Sequence, residues 1–276
     1  MKISDILKLI EREWPQEWAE TWDYPGLQLA GPDMKVSGIG IALDWTPEAK
    51  DVLVPAANLI LTHHPLFFNE VRGLRDSDPR EALLRASVKQ DLTVWTCHTN
   101  LDSAPDRTAV SRALADAMQL KGGRTLRKGI TDSNPQGGYG WAVPDQGLTL
   151  QGLSVLYGGL PGFQGAILNY DMHKEGEEEA GSIAFWGGSW DQDYMSSLQE
   201  QGISTLVAGE VRYHDQDELR MHGIRTHMIG HDVSETPAMH VWAEVLREKL
   251  AEEGVADLPV TVYNQWSAAE QQRNEY

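Results

Sequence analysis

Apolar positions recur at helical spacing in Ile6, Leu7, Ile10 and Trp14 with charges between them, which predicts a core-facing amphipathic helix at the start of the chain. Val36 to Asp44 alternates instead like a strand. Thr46-Pro47-Glu48 then supplies an N-cap, a proline at the first helical position and an acid in the first turn, so a helix through about Ala57 follows. Asn58 to Thr62 reads as a buried strand. Pro79-Arg80-Glu81 opens a helix to about Gln90, Leu92 to Thr96 forms the next strand, and a helix runs from about Asp106 to Met118. Strands alternating with helices of this length predict a parallel sheet with right-handed crossovers.

Lys121-Gly122-Gly123-Arg124 breaks this pattern and sets a boundary, with a first α/β half over 1–124 and a second over 125–276. A turn-rich stretch from Thr131 to Gly140 leads into shorter β runs at Gly140 to Val143, Gly165 to Tyr170 and Ser182 to Trp186. Its glycines match no phosphate-cradling motif. His173 to Glu179 reads as an acidic, solvated loop or hairpin tip. Alternation returns with a strand at Ser204 to Ala208, a short helix from Tyr213 ended by Gly223, and a strand at Ile224 to Ile229. A long helix then carries Met239, Trp242, Val245, Leu246 and Leu250 at core spacing.

Composition narrows the function classes. A formal net charge of −18 argues against a surface that tracks nucleic acid or anionic lipid, since either requires clustered Lys and Arg. No apolar run approaches the roughly 20 residues of a membrane helix. The single cysteine, Cys97, forms no intramolecular disulfide, and the N-terminus has neither the basic nor the apolar region of a signal peptide, so a cytoplasmic protein is expected. Ten tryptophans point to large apolar contacts within the core or between subunits.

The chemistry collects at strand ends, where open α/β sheets place their sites. The run from Leu59 delivers His63-His64-Pro65, and adjacent histidines at a strand end can bind two different ions or cap a loop through hydrogen bonds. The strand ending at Thr96 delivers Cys97, His98 and Asp102. Asp102 is either a metal carboxylate or a turn and cap residue. His98 reads as an orienting partner or a polar turn residue, and Cys97 as a buried small hydrophobe rather than a nucleophile. After the last strand come His231 and Glu235. Asp232-x-x-Glu235 fits a capping box, but Pro237 then falls in the second turn; with Ser234 as N-cap the proline is harmless and Glu235 is free to bind something else. Three histidines and two carboxylates suit zinc, iron or manganese and exceed what one tetrahedral ion needs.

Taken together, Thr62-His63-His64-Pro65-Leu66, His98-Thr99-Asn100-Leu101-Asp102, Gly209-Glu210 with Tyr213-His214-Asp215, and Gly230-His231 with Glu235 resemble the motifs of the NIF-three-like family, also labelled GTP cyclohydrolase 1 type 2 homologues. Asp23-x-x-Gly26-Leu27-Gln28 resembles that family too. The resemblance implies two α/β halves with mostly parallel βαβ sheets around a dinuclear metal site, and a ring-shaped homohexamer. It implies His63, His64, Asp102, His231 and Glu235 as ligands of two divalent ions, with His98, Glu210 and His214 orienting ligands or handling protons. The activity implied is metal-dependent hydrolysis of a nucleotide-like small molecule. The same ligands would equally serve a metal-binding regulatory or interaction protein without turnover. Asp232 and Tyr24-Pro25 depart from the usual family residues, so substrate preference does not carry across.

Overall fold

The computed structural model describes residues 1–68, 73, 75, 77–128 and 133–265. The elements in chain order are α1 (Ile3–Glu13), β1 (Gly26–Leu29), β2 (Ile39–Ala42), α2 (Pro47–Leu53), β3 (Leu59–Thr62), α3 (Pro79–Lys89), β4 (Thr93–Thr96), α4 (Thr99–Asp102) and α5 (Val110–Ala117). Then come β5 (Arg124–Lys128), β6 (Gly138–Val143), α6 (Leu150–Gly158), β7 (Ile167–Leu168), α7 (Met172–Glu175), β8 (Ile183–Ser189), α8 (Met195–Glu200) and β9 (Thr205–Glu210). The chain closes with α9 (Tyr213–Met221), β10 (Arg225–Met228), α10 (His231–Glu252) and β11 (Val260–Val262). The fold is α/β, with a mixed sheet in each of two compact units: Met1–Leu101 with Met239–Tyr276, and Asp102–Ala238. These units differ from the halves 1–124 and 125–276, since the segment Met239–Tyr276 belongs with the first unit.

The first sheet has the order β1-β4-β3-β2-β11, with β11, β2, β3 and β4 parallel and β1 antiparallel on the edge. Every residue of β2, β3 and β4 is buried, as expected for parallel strands covered on both faces. The helices start where their caps dictate. Thr46 Oγ accepts from Ala49 N at 3.1 Å, and Asp78 Oδ1 accepts from Arg80 N and Glu81 N at 3.0 and 3.1 Å, each just before a proline. Trp14 and Trp242 meet edge to face at 5.9 Å, both fully buried, which ties α1 to the C-terminal helix.

The second sheet runs β5-β6-β8-β9-β10-β7. Only its centre, β8-β9-β10, is parallel, and the pairs β5-β6, β6-β8 and β10-β7 are antiparallel. Alternation sorts its side chains into two layers. Phe185 and Val207 pack with Leu153, Tyr157 and Val233; Ala184, Leu206 and Ala208 pack with Leu198 and Leu219.

Several elements differ from the sequence expectation. The helix expected from Asp106 begins at Val110, because Asp106 Oδ1 first binds Thr108 N and Oγ in a local turn. Part of the acidic tip forms α7, capped by Asp171. β5, α6, α8 and β11 carry too weak a periodicity to be read from the chain. Helix α10 begins at His231, so neither Asp232 nor Ser234 is its N-cap, and Pro237 lies within the helix. Ser234 Oγ turns back to donate to His231 O at 2.6 Å, the back-bonding of a serine already inside a helix.

Candidate metal-binding residues

In the first unit the site follows from strand register. Ala42, Thr62 and Thr96 are neighbours across β2, β3 and β4, so the residues two positions on, Asp44, His64 and His98, emerge together at the carboxyl edge. His63 N to Ala42 O (3.1 Å), His64 N to Leu43 O (3.0 Å) and Cys97 N to Thr62 O (3.0 Å) carry the ladder to that edge. His63, His64 and His98 each offer a ligand atom within 4.8 Å of the others.

All three rings share one hydrogen-bonding arrangement. His63 Nδ1 lies 3.0 Å from Cys97 O, His64 Nδ1 lies 2.9 Å from Asp44 Oδ1, and His98 Nδ1 lies 2.9 Å from Asp23 Oδ1. A carbonyl or an ionised carboxylate only accepts, so each neutral imidazole carries its proton on Nδ1 and its lone pair on Nε2. This is how metal-binding histidines are oriented by their outer partners. Asp23 Oδ2 also accepts from Thr99 N and Oγ at 3.0 and 2.5 Å. Burial pushes the Asp23 carboxyl up, but the His98 and Thr99 bonds outweigh it and hold the group down at about 2. Beside them, burial pushes the Cys97 thiol up to about 12, in keeping with an inert small hydrophobe.

In the second unit, Glu210 ends β9 and His231 opens α10 directly after β10, so parallel pairing brings them to one edge. Glu235 lies one helical turn on and is buried, with Oε1 3.3 Å from His231 Nε2; Glu210 Oε2 lies 3.6 Å from His231 Nδ1. Two carboxylates thus face the two nitrogens of one imidazole. An imidazole with a buried carboxylate is a donor set that divalent first-row ions favour. β8 makes room for this pair. Its register shifts between Trp186 and Ser189, Gly188 has φ +69°, and a Cβ there would overlap Glu235 Oε1. Gly188 N donates to Ser234 Oγ at 2.9 Å, fixing the bulge to α10.

His98, read from sequence as an orienting group, stands with His63 and His64 as a possible direct ligand. Asp102 ends α4 and is not one of that trio. His214 is exposed on the first turn of α9, its Nε2 3.2 Å from the buried Asp215. Sequence reasoning left the role of Asp23 open and missed Asp44 and Gly188. Asp44 carried a usable signal, a carboxylate at a strand's carboxyl end beside the histidine strand.

A family model described as Duf34/NIF3 (NGG1p interacting factor 3) matches residues 1–266. The chain is similar to a Clostridium perfringens protein named GTP cyclohydrolase 1 type 2 homolog, 26% identical over 251 residues that cover 91% of this chain and 93% of the relative. A Streptomyces coelicolor protein of the same name is 28% identical over 80% of this chain and 76% of the relative. Among solved structures, a Staphylococcus aureus hypothetical protein superposes with a TM-score of 0.83 at 23% identity, covering 96% of each chain. A Bacillus cereus protein related to NIF3 superposes with a TM-score of 0.81 at 18% identity, over 96% of this chain and 97% of the other. At these identities the structural likeness establishes the fold.

Proposed function

Because the chain belongs to the Duf34/NIF3 (NGG1p interacting factor 3) family, we propose that it is a dinuclear metal-dependent, hydrolase-like protein acting on a nucleotide-like small molecule. The observation that carries this reading is the shared orientation of His63, His64 and His98, each with Nδ1 on an oxygen acceptor, the orientation in which Nε2 would serve as the ligand atom. The proposed ligands are His63, His64, Asp102, His231 and Glu235, with His98 added to the trio it stands in. Two divalent ions of the zinc, iron or manganese type would supply Lewis acidity there, making water a stronger acid near neutral pH and polarising the bond under attack.

The chain's own residues prepare that chemistry. Asp23 and Asp44 hold protons on His98 and His64 Nδ1, so the rings cannot turn away. Glu210, whose Oε2 lies 3.6 Å from His231 Nδ1, would help orient that ring. The names of the Clostridium perfringens and Streptomyces coelicolor relatives support a nucleotide-like substrate, and the motif resemblance supports a homohexamer. Light scattering at micromolar concentration tests the assembly, and a monomer would contradict it.

The purified protein should carry about two divalent ions per chain. Glu235→Gln should lower that content and any GTP turnover while leaving the melting temperature within a few degrees, because a neutral amide is a poor metal ligand. With Glu235 buried inside α10 rather than at its cap, unchanged metal content in the variant would remove it from the ligand set. Full metal occupancy with no turnover on GTP or related nucleotides would favour a metal-binding regulatory protein.

A further inference from the structure

Two large rings stand unburied against His98. Trp22 is 58% exposed and Phe68 49%, whereas Trp14, Trp45, Trp95, Trp186, Trp190 and Trp242 are buried. The Trp22 ring lies 6.0 Å from the His98 ring at 78°, and the Phe68 ring lies 5.8 Å from it at 80°. Both rings therefore rise nearly at right angles to the imidazole plane.

Their placement is tightly referenced to the site. Trp22 sits between Glu20, whose N–H donates to Thr99 Oγ at 3.0 Å, and Asp23, whose carboxylate binds His98 and Thr99. Phe68 follows His64-Pro65 where the chain leaves β3. A ring needed only for folding gains by burial. Trp22, held outside the core between residues whose hydrogen bonds also orient a candidate ligand, and Phe68, exposed against the same imidazole, are instead placed to meet something that comes to that ligand. Aromatic side chains offer planar bases a stacking surface that tolerates many substituents.

We infer that Trp22 and Phe68 form a stacking site beside His98 that selects substrates carrying a flat heteroaromatic ring. This rests on the metal-dependent reading above and adds to it the residues that recognise the ring. Trp22 and Phe68 would bind and position, with no part in proton transfer. The phosphate-like portion of a ligand would be recognised elsewhere.

Calorimetric titration of the metal-containing protein with guanosine, GTP and tripolyphosphate tests the assignment, using Trp22→Ala, Trp22→Phe and Phe68→Ala with metal content measured on each. Trp22→Ala and Phe68→Ala should each weaken guanosine and GTP about tenfold, Trp22→Phe should recover most of the loss, and tripolyphosphate affinity and metal content should stay unchanged. Guanosine affinity unchanged in both alanine variants, or no guanosine binding by the unaltered protein, would overturn the stacking site. An equal loss for tripolyphosphate would also overturn it, as would a fall in oligomer mass in the alanine variants, which would mean that a second copy covers the rings. These outcomes leave the metal reading intact. That reading fails separately, on metal content.

Discussion

At the scale of single residues, the second unit's pair depends on a glycine. Gly188 adopts a left-handed conformation and lies where a Cβ would overlap Glu235 Oε1. Gly202, also left-handed at φ +63°, has nothing within 4 Å of its would-be Cβ. Gly202→Ala should therefore cost only the backbone term, about 1 kcal/mol, and leave metal content unchanged. Gly188→Ala should cost about 1–3 kcal/mol and also reduce metal content by displacing Glu235. Urea unfolding with metal analysis on the two variants separates strain from contact. Equal metal content in both would show that the bulge does not serve Glu235. Neither the glycine nor its conformation was legible in the chain, because Gly187-Gly188 reads there simply as a strand's end.

Among the elements, β10 carries a buried histidine that no reading of the chain singled out. His227 Nδ1 lies 2.9 Å from Tyr157 OH and Nε2 lies 3.0 Å from Tyr170 OH, and burial pushes the imidazole down to about 4. The unfolded chain, with an ordinary imidazole near 6.5, binds the proton that the folded one refuses. Stability from this group is thus present above about pH 6.5 and falls as pH drops toward 4. At pH 5, about 1.5 units below the unfolded value, the loss is about 2 kcal/mol at 1.36 kcal/mol per unit. His227→Gln keeps an amide for the two hydroxyls but does not titrate. Its stability should decline less between pH 7.5 and 5 than that of the unaltered protein, as read by chemical denaturation at each pH. Identical pH dependence would exclude His227 as a source of acid sensitivity.

For the whole molecule, the proposed ions and stability are linked. An ion that binds only the folded chain adds RT ln(1 + [L]/Kd), about 2.7 kcal/mol at a hundredfold excess over Kd. Treatment with EDTA should lower the melting temperature, and zinc or manganese should restore it; His63→Ala should blunt both changes. A melting temperature indifferent to chelation, in protein verified to have lost its metal, would deny the ions a structural role. Among the described residues no helix is long and apolar enough to cross a membrane, consistent with the absence of a long apolar run in the chain.

The sequence by itself determined the alternation of β2, β3 and β4 with helices, the cap at Thr46 and the helix start at Pro79, and the delivery of His63, His64 and His98 to strand ends. Each is set by short-range chemistry: apolar runs, a capping hydroxyl, a proline that ends a strand. It also held the family motifs, spread from Asp23 to Glu235. Tertiary structure decided what depends on neighbours distant in the chain. Register between parallel strands brings Asp44 beside His64, and a loop pinned by Thr99 brings Asp23 to His98. β11, too short to show a period, finds its place only by pairing with β2. Helix α10 starts at His231 despite Pro237, because packing of Val233, Met239 and Trp242 in apolar surroundings outweighs one missing backbone bond. Local propensity cannot weigh that balance, since the opposing contacts come from segments far along the chain.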